Sequence, residues 1–246
     1  SKEVEFKDVT DEIACLGVFG PQSRTLMSKL SSDDLSNENF KFGTSKIIKI
    51  NNKKIWAQRL SYVGELGFEL YIKMKESREI YNLIIEKGKG FNLSHCGMFA
   101  MDTMRMEKGY LHWGHDMSPE ENQYEAGLSF AVSYKKNVDF IGKEALLKIK
   151  NKPIKKKFIM MSLKENKPGF PLLLHDEPIL FNGKIIGRTT SGNYSFNFKK
   201  NMAFGYVSAN EKFDRGNFEI EVEKIKYNAI LETKALHDPD NTIIKS

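Results

Sequence analysis

The chain is poor in cysteine and has no long apolar run. Cys15 and Cys96 are the only two cysteines in 246 residues, which rules out a disulfide framework. They lie far apart in apolar surroundings and read as a buried, reduced pair. That fits a reducing compartment, and a cytoplasmic location is the expectation. No stretch is apolar enough to span a bilayer, and no basic-then-apolar leader precedes the first strand. No membrane partner is therefore expected. Also missing are a P-loop, a dinucleotide fingerprint, a Gly-x-Ser-x-Gly elbow and a Cys-x-x-Cys pair, which argues against nucleotide-driven or redox chemistry within this chain. There is no internal repeat of fixed period and no low-complexity segment.

What is present is a basic, soluble composition with a formal net charge of +6. The lysines are scattered, and their one dense run, residues 150–157, reads as a linker. A polyanion-binding face clusters Lys and Arg with aromatics on one element. No nucleic-acid partner is expected, whereas a small ligand bearing carboxylates would be drawn to such a surface. Ser1 is not Met, and the text opens directly in a strand-like stretch, residues 4–9. The expectation is a mature product or a piece of something longer.

The order of elements is informative. Residues 13–19 read as a strand, Gly20-Pro21 as a turn and residues 21–30 as a helix with Leu26, Met27 and Leu30 on one face. Residues 44–50 and 54–60 form a hairpin through Asn51-Asn52, a pair that tolerates positive φ. Residues 68–72 alternate as a strand. Residues 75–89 give an amphipathic helix stopped at Gly88. This predicts an α+β fold, with helices on one face of an antiparallel sheet. Residues 97–108 form the next helix, whose Met98, Met101 and Met104 stripe reads as core packing. Asp102 and Arg105, three apart, can pair on its other face. After a polar turn, residues 142–149 are a short helix. Beyond Pro153 the pattern changes to short strands at 158–163, 178–181, 184–189, 202–207, 218–222 and 225–232, with Asn182-Gly183 as a hairpin signal. That predicts a domain over 1–152 and an all-β barrel over 153–246, the last ten residues being an irregular tail.

Two loops could carry chemistry. In the first, Tyr62-Val-Gly-Glu-Leu-Gly-Phe-Glu69, a carboxylate could accept two N–H bonds from an aminopyrimidine edge while a tyrosine stacks on the ring. From the pattern alone an ordinary turn with a surface Glu is the stronger reading. In the second, His112-Trp-Gly-His115-Asp116, two His beside an Asp are a weak metal signal without further ligands. A structural loop with Trp113 packed inward outweighs it. No metal is expected, and spacing alone assigns no general acid or base.

At these residues a resemblance emerges. Residues 16–24, LGVFGPQSR, residues 61–69, residues 100–109 with EAGL at 125–128, DFIGK at 139–143, and TSGNYSFNFKKNMAFGYV at 190–207 occur in the order of motifs in the glycine-cleavage T-protein (aminomethyltransferase) family. Together they cover nearly the whole chain. Departures from the T-protein pattern are Met101, where the family has Arg, and Phe130, where it has Trp. YLHWGHD at 110–116 and HDP at 237–239 look instead like the C-terminal folate domains of sarcosine and dimethylglycine dehydrogenases.

The resemblance implies a folate-binding α+β fold followed by a β-barrel. It implies transfer of a one-carbon unit from a small N-methyl amine to tetrahydrofolate, with FAD held only in a flavin dehydrogenase domain upstream or in a partner chain. It places Glu69 on the N–H edge of the pterin, with Tyr62 and Tyr110 lining the same pocket. Met101 removes a contact to the folate's glutamate tail. The catalytic Asp of the family has no counterpart in context, so its expected place is upstream of residue 1. Two alternatives stay open: a stand-alone aminomethyltransferase or demethylase, and a non-catalytic folate-fold scaffold. The scaffold branch carries a KGCYxGQE motif, where this chain has Lys108-Gly-Tyr-Leu-His.

Overall fold

A computed structural model describes residues 4–210, 213 and 218–246. The chain forms two compact units, residues 1–101 with 238–246, and residues 102–237.

The first unit is a four-stranded antiparallel sheet, ordered β1-β4-β3-β2, with two helices on one face. Its strands are β1 (Ile13–Phe19), β2 (Ser45–Ile50), β3 (Lys53–Gln58) and β4 (Gly67–Lys73); its covering helices are α1 (Ser23–Leu30) and α2 (Met74–Gly88). The period-2 alternation does the sorting. Phe68, Leu70 and Ile72 of β4 join Ile48, Ile50, Ile55 and Val18 in the core against Leu26, Met27, Ile80 and Ile84 of the helices. Glu69 and Tyr71 therefore occupy the opposite face. The β2–β3 turn is built as expected, with Asn51 and Asn52 at φ 47° and 61°. Gly67 is required by close approach, since a Cβ there would sit 2.1 Å from a ring carbon of Phe19.

Some expectations are corrected. Residues 4–9 form no strand; they have no partner strand to complete a ladder. Cys15 and Cys96 are both exposed rather than buried. Cys15 falls on the outward parity of β1, alternating with Val18, which faces the helices. Gly88 does not end α2 by a left-handed turn: its φ is −65°, and the left-handed residue is Asn92. Gly88 is small because Leu93 folds back, its Cβ only 2.8 Å from where a Gly88 Cβ would be. The tail is irregular yet anchored. The Asp238 carboxylate accepts the amides of Thr242, Ile243 and Ile244 at 2.7, 3.0 and 3.3 Å. Arg59 donates to the Ile244 carbonyl at 2.9 Å and lies over the Phe68 ring. Burial, then the neighbouring Arg24, lowers the Arg59 pKa to about 10.

The second unit is a closed six-strand antiparallel barrel in the order β10-β5-β8-β7-β6-β9. Its strands are β5 (Lys156–Leu163), β6 (Pro178–Phe181), β7 (Lys184–Ser195), β8 (Lys200–Ser208), β9 (Phe218–Val222) and β10 (Ile225–Glu232). Closure removes exposed edges. Its interior is filled by Ile159, Met161, Leu163, Ile179, Val207, Phe218 and Ile220. β7 runs past the expected end at Thr189, because a bulge between Thr189 and Ser191 lets pairing with β8 continue to Ser195. The remaining helices are α3 (Met98–Glu107) and α4 (Lys143–Ile149), the latter entered through Gly142 at φ 88°.

The Met98-Met101-Met104 stripe is not core. Met98 is 69% exposed, and α3 instead buries Thr103, Arg105, Met106 and Glu107. Met106 packs with Met202 and Phe204 of β8, while Glu107 accepts Ser195 Oγ and Asn197 Nδ2 at 2.7 Å each. The barrel wall offers polar partners as well as apolar ones, and that decides which side of the helix turns inward.

Candidate functional site

Glu69 stands at the middle of β4, paired with Gly17 of β1 and Gln58 of β3. Its side chain is half-buried on the sheet face turned away from α1 and α2. The Tyr71 hydroxyl, two residues on, donates to Glu69 Oε2 at 2.9 Å. Burial, then that bond and the Glu69 charge, pushes the Tyr71 pKa up to about 12. On the neighbouring strand Trp56 meets Tyr71 with ring centroids 4.9 Å apart. This surface thus carries one oriented carboxylate beside a pair of aromatic rings. Cys15, opposite Tyr71 on β1, has its thiol pKa raised by partial burial and by the Glu69 charge. Tyr62 lies half-buried in the loop before β4, where Gly64 takes φ 79°.

Tyr110 lies in the second unit, just after α3. Arg105 holds it from both sides: the Tyr110 amide donates to the Arg105 carbonyl at 2.8 Å, and Arg105 Nη1 donates to the Tyr110 carbonyl at 3.1 Å. Tyr62 and Glu69 thus belong to one unit and Tyr110 to the other.

Arg105 is the centre that sequence reasoning undervalued. The expected Asp102 pair forms, Arg105 Nη2 lying 2.8 Å from Asp102 Oδ1. Yet Arg105 is only 1% exposed. It also bonds Asp116 and donates to Ser191 Oγ of β7 at 2.8 Å, with its guanidinium over the Phe204 ring. Asp116 in turn accepts the His112 amide at 2.9 Å and the Thr190 hydroxyl at 2.5 Å. The planar fork of five donors suits such a junction. Trp113, expected to pack inward, is 62% exposed. Asp116, and not the tryptophan, closes the loop, with the His112 and His115 rings stacked at 4.7 Å. Asp116 was visible only as a weak member of a His-rich loop. Tyr71 was missed, although i and i+2 share a strand face and that spacing could have found it. Among the described residues no group of three or more His, Cys, Asp and Glu could hold a metal ion, and no helix is long and apolar enough to cross a membrane.

A helix-backed antiparallel sheet followed in the same chain by a closed six-strand barrel can be compared with known proteins. Residues 1–136 match the GCVT N-terminal domain, and residues 156–238 match the glycine cleavage T-protein C-terminal barrel domain. The chain belongs to the glycine-cleavage T-protein family. It is 39% identical to the mitochondrial dimethylglycine dehydrogenase of Homo sapiens over 229 residues, covering 93% of this chain and 26% of that protein. With the mitochondrial sarcosine dehydrogenase of Mus musculus it shares 31% identity, over 98% of this chain and 27% of that protein. The chain therefore spans about a quarter of the length of these relatives. Among solved structures, the glycine cleavage system aminomethyltransferase T of Bartonella henselae shares the fold. The TM-score is 0.79 at 21% identity, covering 92% of this chain and 60% of that one.

Proposed function

We propose that this chain is the folate-binding part of a one-carbon transferase. In this reading, the carbon of an N-methyl group on sarcosine or dimethylglycine is captured as 5,10-methylenetetrahydrofolate, after a flavin domain elsewhere in the protein has oxidised the amine. One observation carries the reading: likeness to the two dehydrogenases runs through more than nine-tenths of this chain, across both family domains. The residues present fit a pterin. Glu69 offers a carboxylate already oriented by Tyr71, suited to a ring edge with two N–H donors. The Trp56–Tyr71 pair offers an aromatic surface beside it. Glu69, Tyr62 and Tyr110 are the residues that would hold the folate. When bound, tetrahydrofolate supplies the nitrogens that accept the carbon. This chain's part is to bind, orient and exclude water, and no FAD contact is assigned to it.

Titration calorimetry with 5-formyltetrahydrofolate tests this, on the 246-residue chain and on the longest gene product that contains it. Micromolar binding to the longer product is expected. Absence of binding to both would leave a scaffold role and remove the transferase reading.

A further inference from the structure

Two arginines of the first unit converge on the tail that follows Asp238. Arg24, on α1, and Arg59, one residue past β3, share two acceptors. Arg24 Nη2 donates to Asn37 Oδ1 and to the main-chain oxygen of Ser246, each at 2.8 Å. Arg59 Nη2 donates to the same Ser246 oxygen at 2.5 Å and lies 3.4 Å from the same Asn37 oxygen. Arg59 Nη1 turns to the Ile244 carbonyl. The Nε atoms of both guanidiniums are buried and have no hydrogen-bond partner among the described residues. The tail is fastened so that residue 246 stays there. Asn37 Nδ2 donates to the Lys245 carbonyl at 2.8 Å, and Ile244 is buried.

The charges of this cluster do not balance. Arg59 is 0% exposed, and a buried cation is costly unless an anion lies beside it. Its hydrogen-bond partners among the described residues are an amide oxygen and main-chain oxygens, none of them a side-chain carboxylate. The same holds for Arg24. The Phe42 and Phe68 rings, 6.0 and 5.5 Å from the Arg59 guanidinium carbon, offer π faces but no charge. Burial and then the like charge of Arg24 work against the ionised form of Arg59. Two neighbouring guanidiniums thus point at one oxygen, with neutral side chains around them.

We infer that Arg24 and Arg59 form a carboxylate-binding site at the end of the folded tail. Geometry selects the group: the oxygen on which both guanidiniums converge is borne by the carboxyl carbon of residue 246, so the site is already shaped around such a carbon. A carboxylate there brings a second oxygen and the missing negative charge, and the guanidinium fork suits it. Two sources supply that chemistry, a free α-carboxylate at residue 246 and a small carboxylic acid from solution. The bound group neutralises the pair and fastens the tail to the first unit. The inference stands independently of the folate reading, since it uses none of Tyr62, Glu69 and Tyr110.

The test compares the 246-residue chain bearing a free α-carboxylate with the same chain bearing a terminal carboxamide, each also as Arg24→Gln. Urea unfolding is followed at pH 7, in sodium acetate and in sodium chloride of equal ionic strength. The acid form is expected to have an unfolding constant about tenfold lower than the amide form, the equivalent of a charge-assisted hydrogen bond, and Arg24→Gln should shrink that gap. If acid and amide forms are instead equal, a saturable stabilisation by acetate beyond that of chloride, weakened by Arg24→Gln, assigns the site to an acid from solution. Equal forms with no acetate effect overturn the inference, and so does any gap or acetate effect that Arg24→Gln leaves undiminished. Should Arg24→Gln fail to fold, carbon NMR of the α-carboxyl group at residue 246 decides for the acid form. Its pKa should fall about one unit or more below the ordinary 3.3–3.7, and an ordinary value with no acetate effect on the amide form sinks the idea.

Discussion

The Tyr71 hydroxyl donates to the Glu69 carboxylate at 2.9 Å, two positions along the same strand. Since i and i+2 share a face, both side chains project from the sheet face opposite the helices. The contact orients the carboxylate assigned to the pterin.

Replacing Glu69 by Ala in the intact protein should weaken folate binding by roughly 1.5–3 kcal/mol, the range for a hydrogen bond to a charged group. Calorimetry with 5-formyltetrahydrofolate measures it. Unchanged affinity would remove Glu69 from the site.

Tyr71 should titrate late. Its pKa in the folded protein, about 12, lies above the usual tyrosine value. The raised pKa contributes stability that is fully present below about pH 10 and is lost as the pH rises through about 12. The phenolate absorbance difference between the parent chain and Tyr71→Phe isolates this group. In Glu69→Gln the same titration should move toward the ordinary value, because both the accepted bond and the negative charge change. A Tyr71 that ionises normally in the parent would show that the contact does not persist in solution.

Truncating Arg105 to Ala should destabilise the second unit by about 3–5 kcal/mol, because it leaves buried Asp116 without its cation. Arg105→Lys should recover only part of this, since an ammonium cannot reproduce the fork. Urea unfolding of the three proteins gives the order. Equal stability of Lys and Arg forms would contradict the role of the fork as a junction between several acceptors.

Gly88→Ala is predicted to lose stability, although Ala normally gains about 1 kcal/mol over Gly inside a helix. The Leu93 Cβ lies 2.8 Å from the position the new methyl would take, so overpacking of about 1–3 kcal/mol should dominate. Combining it with Leu93→Ala should relieve the strain. A double-mutant cycle without coupling would argue against the clash.

Much of this architecture was legible residue by residue. β4 alternates Phe68, Leu70 and Ile72 against Glu69 and Tyr71, and α2 spaces Ile80 and Ile84 one turn apart. Asn51-Asn52 and Asn182-Gly183 marked hairpins that the structure contains. These signals are short-range: a strand face repeats every second residue and a helix face every third or fourth. Arg105 was not legible as a hub, because Ser191 is 86 positions away and Asp116 is 11. The methionine stripe misled for the same reason. Which face of α3 is buried depends on Met202, Phe204, Ser195 and Asn197, supplied by β7, β8 and the turn between them almost 100 residues later.

The amino-acid sequence by itself determined the element order, the alternation that turns Glu69 away from the core, the all-β character beyond Pro153 and the family, through motifs whose order spans the chain. Only the tertiary structure decided that Tyr71 holds Glu69, that Arg105 and Asp116 close the loop after Tyr110, and that Tyr206 lies buried with no partner for its hydroxyl among the described residues. The division has a physical basis. Backbone geometry converts local residue patterns into faces, whereas a buried polar group finds its partners among side chains that only packing brings within hydrogen-bond reach.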